Sequence, residues 1–258
     1  LNMFRKCYEM LAEEFPEVDL WEPNNEPDHP SGTTVVKNGY RSGADNGAYL
    51  YSLEEVARIT ADQCYYANLG IKSAGSDNKL VMPGFVFGYE RDKYFIEMLY
   101  EQIASGSLPT GAAADTDPDS YFDILNWHPY ANTEPGTRWI NENIAYYNIA
   151  KAYGDGDKPL FLSEFGWSAL QESIGEWYPQ ALDMLRANRP TLESVFCFRM
   201  FNWASAGSGV KPREKSFGIF TSPAEDGGIV PKPAALALFR YFNGDADASA
   251  LYKYAKAA

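Results

Sequence analysis

The sequence predicts an α/β fold built on a parallel sheet, and three observations lead there. Short apolar runs alternate with amphipathic helical stretches along the whole chain. The runs Leu80-Val81-Met82, Phe122-Asp123-Ile124-Leu125, Leu160-Phe161-Leu162 and Val195-Phe196-Cys197-Phe198 are near-continuous, as strands covered on both faces are. At 258 residues, with 45% hydrophobic and 22% charged residues, the chain suits one α/β barrel domain or two small domains. One domain is the economical reading.

The elements follow in order. Residues 2–14 read as a helix with Phe4, Tyr8 and Leu11 on one face, and residues 18–22 as a short strand. Residues 28–51, rich in Gly, Ser and Asn, form a long loop of the kind that is more often functional than idle. Ser52 with Glu55 is a capping-box pattern that opens a helix expected to stop at Gly70. A strand over 80–87 and a helix over 92–104 come next, then a polar loop over 105–120. Residues 121–127 form a strand, 138–153 a helix ended by Gly154, and 160–165 a strand followed by helix to about residue 188. The last strand is expected over 195–201, followed by a loop over 204–216. Pro233 then opens a helix that Gly244 closes.

Composition excludes several classes. The net charge of −13, from 22 basic and 35 acidic residues, argues against a nucleic-acid partner, because such affinity rests on Lys and Arg neutralising phosphates. No run approaches the roughly 18 apolar residues of a membrane span. No dinucleotide fingerprint or P-loop is present, so no organic cofactor is implied. Cys7, Cys64 and Cys197 lack metal or disulfide spacing and read as small buried hydrophobes. No signal peptide is visible, yet the chain opens on Leu1, so a secreted or extracytoplasmic location stays open. Aromatics reach 15%, with 6 Trp and 18 Tyr, which serve core packing and also suit the walls of a sugar site.

In α/β barrels the reactive side chains stand at the carboxyl ends of strands. Here those ends read Trp21-Glu22-Pro23-Asn24-Asn25-Glu26-Pro27-Asp28, Asn126-Trp127-His128-Pro129-Tyr130, Ser163-Glu164-Phe165-Gly166-Trp167 and Phe201-Asn202-Trp203. Two carboxylates dominate them, Glu26 and Glu164. Glycoside hydrolysis needs such a pair, one to protonate the leaving oxygen and one to attack or to activate water. A solvated Glu at each place is the alternative, and it weakens when both are wrapped in Pro, Gly and aromatic residues. Glu22 reads as structural, a possible partner from behind the site. His29, Trp127 and Trp167 read as loop or packing residues.

These runs resemble clan A glycoside hydrolases, families five and thirty-nine most strongly. Trp-Glu-Pro-Asn-Asn-Glu-Pro-Asp resembles their fourth-strand motif, Asn-Trp-His-Pro-Tyr the sixth, Leu-Ser-Glu-Phe-Gly-Trp the seventh and Phe-Asn-Trp the eighth. Phe217-Gly218-Ile219-Phe220 with Pro231-Lys232-Pro233-Ala234 resembles the lead into their last helix. The resemblance implies a (β/α)8 TIM barrel of which strands four to eight are present. It implies a retaining glycosidase with Glu26 as acid/base and Glu164 as nucleophile. Asn25 would bond the sugar 2-hydroxyl, Tyr130 would donate to Glu164, His128 would line the same subsite, and Trp203 would form a platform under the sugar. The partner is an oligosaccharide or polysaccharide, with no metal and no cofactor. For His128 a buried strand histidine is the alternative reading, and for Tyr130 and Trp203 plain packing.

If the first strand is the fourth of a barrel, three βα units, about 95 residues at about 250 for eight, are not in the chain. Residues 1–258 are therefore expected to form a single, N-terminally truncated catalytic domain. Two rival readings remain. A carbohydrate-binding pseudoenzyme or inactive barrel fragment would keep the cleft and not the chemistry. A metal-dependent barrel enzyme wants several His ligands, and only His29 and His128 exist.

Overall fold

The computed structural model describes residues 2–29, 52–87, 89–90, 92–106, 115–131, 133–168, 174–203, 215–221, 229–244 and 246–252. Most of the expected loops over 28–51, 105–120 and 204–216 lie outside these residues. The chain packs as two compact units. The first comprises residues 1–128, 142–163 and 191–194; the second comprises 129–141, 164–190 and 195–258.

The first unit begins with α1 (Asn2–Glu14) and β1 (Leu20–Trp21), then α2 (Leu53–Ala74) and β2 (Lys79–Leu80). A small hairpin of β3 (Tyr89–Glu90) and β4 (Lys93–Tyr94) precedes α3 (Phe95–Ser105), and β5 (Leu125–Asn126) follows. Helix α4 (Thr137–Ala152), β6 (Leu160–Phe165) and β7 (Leu192–Cys197) each contribute residues to both units. Parallel pairing advances strand by strand. β1 pairs with β2, Val81 bridges to Ile124, and β5 pairs with β6 with Asn126 opposite Phe161. Leu160 N–H then donates to the Thr191 carbonyl at 2.8 Å, carrying the ladder to the start of β7. This is the sequence-order parallel sheet that apolar runs joined by helices produce.

Successive strand side chains point to opposite faces, so Val81, Ile124 and Phe161 meet as one buried apolar layer. Both faces of the sheet are filled, since Leu80, Met82, Leu125, Leu160 and Leu162 are buried as well. The capping box of α2 is formed: Ser52 Oγ accepts from Glu55 N–H at 3.2 Å, and Glu55 Oε2 accepts from Ser52 N–H at 2.9 Å. The helix does not stop at Gly70. It continues to Ala74, and the Gly75 N–H donates to the Ile71 carbonyl. A Cβ on Gly70 would stand 2.4 Å from the Arg5 carbonyl oxygen, so this glycine lets α1 and α2 approach closely. That contact turns the Arg5, Tyr8 and Glu9 side of α1 toward α2. Cys7 is left exposed, contrary to the expectation that it is buried, and Leu11 is exposed as well. Cys64 is buried and Cys197 half-buried. Among the described residues no helix is long and apolar enough to cross a membrane.

The second unit holds α5 (Ile174–Asn188), the end of β7 and α6 (Pro233–Asn243). A Cβ on Gly175 would meet Pro233 Cβ at 3.0 Å, which marks where α5 and α6 touch. As expected, Pro233 is the first residue of α6, and Gly244 closes the helix with its N–H on the Arg240 carbonyl. The last strand starts earlier than expected. Phe201 is joined to Phe220 by a bridge, and Phe220 in turn to Pro231.

Candidate active site

In the first unit the site is built around Glu26. Its φ of 45° is in the left-handed region that a non-glycine residue rarely adopts. Two backbone bonds hold it there: Glu26 N–H donates to the Gly84 carbonyl at 2.9 Å, and the Glu26 carbonyl accepts from His29 N–H at 3.0 Å. The flanking side chains fasten the same turn. Asn24 Oδ1 accepts from Asn25 N–H, and Asn24 Nδ2 donates to Gln63 Oε1 at 3.1 Å. The buried Asp28 carboxylate accepts from Val86 N–H at 3.0 and 3.1 Å. Glu22 Oε1 accepts from Gly84 N–H at 2.8 Å, which gives that residue the supporting part suspected for it. Strained backbone held by several bonds is a recurrent feature of functional sites.

His128 faces Glu26. Its Nδ1 is 2.9 Å from Glu26 Oε1 and its Nε2 is 3.0 Å from Ser163 Oγ. The residue is 1% exposed, so the ring is enclosed, whereas the Glu26 side chain is 18% exposed. Asn126 lies two residues before His128 and bonds Ser163 twice. Asn126 Nδ2 donates to Ser163 Oγ at 2.8 Å, and Asn126 Oδ1 accepts from Ser163 N–H at 2.9 Å. Because Asn126 is registered with Phe161, this polar group sits one step beyond the apolar layer on the same face of the sheet. Asn25 is exposed beside Glu26, with its backbone bridged to Gly84.

In the second unit Tyr130 donates its hydroxyl proton to Glu164 Oε2. The Tyr130 ring is set by edge contacts with Phe198 and Phe217, centroids 5.8 and 5.6 Å away. Phe198 is tied to the strand end by its N–H on the Phe165 carbonyl at 2.8 Å. A Cβ on Gly166 would stand 2.7 Å from the Phe198 carbonyl oxygen, so only glycine fits directly behind the Glu164-Phe165 strand end. Trp167 is buried, with its indole N–H on the Thr133 carbonyl, which agrees with a packing role. Trp203 is 43% exposed, and the Arg199 guanidinium lies 4.6 Å over its ring. Lys232 Nζ donates to Asn202 Oδ1 and to the Ser216 carbonyl, pinning the strand end before Trp203.

Sequence reasoning did not single out Ser163, Asn126, Gly84 or Arg199. The first two stand inside the quoted motifs at strand spacing from His128 and Glu164, which was the available signal. Glu26, His128 and Glu164 each offer a ligand atom of the kind a divalent cation takes. Within either unit alone, no three such donors gather among the described residues.

No protein-family model matches this sequence, and no curated protein does. Solved structures do match. A monomeric β-xylosidase from Caulobacter crescentus CB15 superposes with a TM-score of 0.56 at 12% identity, covering 94% of this chain and 46% of that one. The GH39 enzyme from Xanthomonas axonopodis pv. citri gives 0.59 at 13% identity, covering 92% and 43%. A psychrophilic family 10 endo-β-1,4-xylanase gives 0.53 at 12% identity, covering 91% and 65%. The chain thus spans less than two thirds of the length of each of these structures. At such identities the likeness is one of fold, and by fold this chain resembles the clan A glycoside hydrolases.

Proposed function

We propose that the chain carries the catalytic residues of a retaining glycoside hydrolase that acts by double displacement. The observation that supports this reading is that each of two strand-end carboxylates has its own ring-borne partner, His128 on Glu26 and Tyr130 on Glu164. A solvated surface Glu needs neither. In the first step Glu26 gives its proton to the leaving oxygen while a Glu164 oxygen bonds to the anomeric carbon. The C–O bond breaks and its electron pair stays with the leaving oxygen. In the second step water attacks the anomeric carbon, Glu26 takes the water proton, and the bond to Glu164 breaks. The Tyr130 hydroxyl, donating to Oε2, aims the Glu164 carboxylate. Asn25, exposed beside Glu26, bonds the sugar 2-hydroxyl, and the exposed face of Trp203 stacks on a sugar ring. His128, being enclosed, touches the sugar only through Glu26.

In this reading β1, β2, β5, β6 and β7 are strands four to eight of an eight-stranded barrel, and residues 1–258 act as one catalytic domain. Two of the similar structures are described as a β-xylosidase and an endo-β-1,4-xylanase, so xylosides are the first substrates to test. The second reading is a carbohydrate-binding, catalytically silent barrel fragment. It draws on the 46% and 43% coverage of the xylosidase and of the GH39 enzyme.

The test is to incubate the chain with 2,4-dinitrophenyl 2-deoxy-2-fluoro-β-xyloside and map any adduct by mass spectrometry. A fluoroxylosyl group on the Glu164 peptide, absent in Glu164→Gln, is the expected result. Turnover of aryl xylosides that survives in Glu164→Gln would remove Glu164 as nucleophile. Binding of xylo-oligosaccharides without turnover or adduct would favour the silent fragment.

A further inference from the structure

The hydrogen bonds around Ser163 have a direction that can be worked out from one unambiguous donor. A backbone N–H can only donate, so the Ser163 N–H at 2.9 Å fixes Asn126 Oδ1 as its acceptor. The other end of that amide is then Nδ2, which donates to Ser163 Oγ at 2.8 Å. The Ser163 hydroxyl has one proton of its own. Among the described residues, the acceptor within reach is His128 Nε2 at 3.0 Å. If Nε2 accepts, a neutral His128 carries its proton on Nδ1, and Nδ1–H donates to Glu26 Oε1 at 2.9 Å.

We propose that Asn126 and Ser163 are positioning residues that hold His128 as the neutral Nδ1–H tautomer, leaving Oε2 of Glu26 as the oxygen that gives and takes the catalytic proton. The proposal rests on the reading of Glu26 as acid/base and says how its proton is placed. With Nδ1–H pointing at Oε1, that oxygen is an acceptor in both protonation states of Glu26. The acidic proton therefore resides on Oε2, the oxygen that His128 does not occupy. The opposite tautomer would present a bare Nδ1 to Oε1. Protonated Glu26 would then spend its proton in a bond to His128, away from any leaving group. Gly84 closes the arrangement, because its missing side chain leaves the space that the imidazole fills. The relay runs Asn126, Ser163, His128, Glu26, all within the first unit.

The tautomer can be read directly by nitrogen NMR. The chain holds 2 histidines, so histidine-labelled protein gives two ring systems, and His29→Gln assigns them. The expected spectrum near neutral pH has Nδ1 of His128 with a protonated-type shift and Nε2 with an unprotonated one. Ser163→Ala should lose this preference and Ser163→Thr, which keeps the hydroxyl, should restore it. Asn126→Asp supplies an opposite test: its carboxylate draws the Ser163 proton to itself, so Nε2 should gain a proton. A wild-type His128 protonated on Nε2, or an unchanged spectrum in both Ser163→Ala and Asn126→Asp, would overturn the relay.

Kinetics add a readout that a merely structural role would not move. Ser163→Ala should lose about tenfold more activity on xylobiose, whose leaving group needs the proton, than on p-nitrophenyl β-xyloside, whose leaving group does not. Equal losses on the two substrates would count against the proton-placing role. The expected NMR result without turnover of either substrate would keep the relay and sink the glycosidase reading.

Discussion

Gly84 lies against the ring of His128: a Cβ on Gly84 would stand 2.0 Å from Nε2 and 2.5 Å from Cδ2. The same residue accepts the Glu26 N–H through its carbonyl and donates its own N–H to Glu22. One glycine thus fixes the backbone of the carboxylate and the place of the imidazole that touches it.

Gly84→Ala should therefore be costly for function beyond its effect on stability. The ring it would strike is held at both nitrogens, so it has no free tip to swing aside. Overpacking of this kind costs about 1–3 kcal/mol, which urea unfolding would read. Hydrolysis of xylobiose, whose leaving group needs the proton, should fall on the order of a hundredfold or more, as when acid/base help is lost. Wild-type turnover by the alanine variant would show that the imidazole contact is dispensable.

Tyr8 links the first helix to the Glu26 turn, since its hydroxyl donates to the Pro23 carbonyl at 3.0 Å, three residues ahead of Glu26. Burial, aided by nearby Cys64, Cys7 and Glu22, pushes the phenol up to about 12. A folded value above the unfolded one, near 10, means the neutral phenol is favoured by the fold. Its contribution is complete below pH 10 and is lost as pH rises toward 12. Tyr8→Phe removes that loss. The thermal midpoint of the wild type should fall more steeply than that of the variant between pH 10 and 12. The difference should reach roughly 1–2 kcal/mol after discounting the part of the ring near solvent. Parallel curves would mean that Tyr8 is not a buried phenol.

How much of this was legible in the sequence depends on how local each cause is. The capping box of α2, the Pro233 and Gly244 ends of α6 and the parallel order of strands follow from short-range chemistry, and they stand where expected. Gly70 misled because a glycine in a helical pattern reads as a stop, while its actual reason, the Arg5 carbonyl 2.4 Å from a virtual Cβ, is 65 residues away (70 minus 5). Cys7 misled likewise, since the face of α1 that is buried was decided by that distant contact. Glu26 and His128 in the first unit, and Tyr130 and Glu164 in the second, stood out as ionisable or aromatic residues at strand ends. Ser163 and Asn126 did not, because a serine and an asparagine on a strand gain meaning only from partners 35 to 37 positions away. His128 was expected to line a sugar subsite or, alternatively, to be a buried strand histidine. Its enclosure comes from Gly84, a contact that its own motif does not encode.

Tyr130→Phe offers the sharpest test of the nucleophile, because the change removes one oxygen and leaves the ring. The packing that places Tyr130, edge contacts with Phe198 and Phe217, is available to phenylalanine as well. Stability should then stay within about 3 kcal/mol of the wild type, the upper net worth of one hydrogen bond to a charged group. What is lost is the donor to Glu164 Oε2. A carboxylate deprived of it is less firmly held in the orientation that attack requires. If Glu164 is the nucleophile, the rate of fluoroxylosyl labelling and kcat/KM on p-nitrophenyl β-xyloside should fall together. The loss should be roughly ten- to a hundredfold, short of the largest losses seen when a preorganised donor is removed. The two rates report the same step, formation of the covalent bond, so they cannot part company if the assignment is right. A Tyr130→Phe variant that labels and turns over like the wild type would mean that Glu164 does not depend on this hydroxyl, and with that the geometric support for its role would be gone.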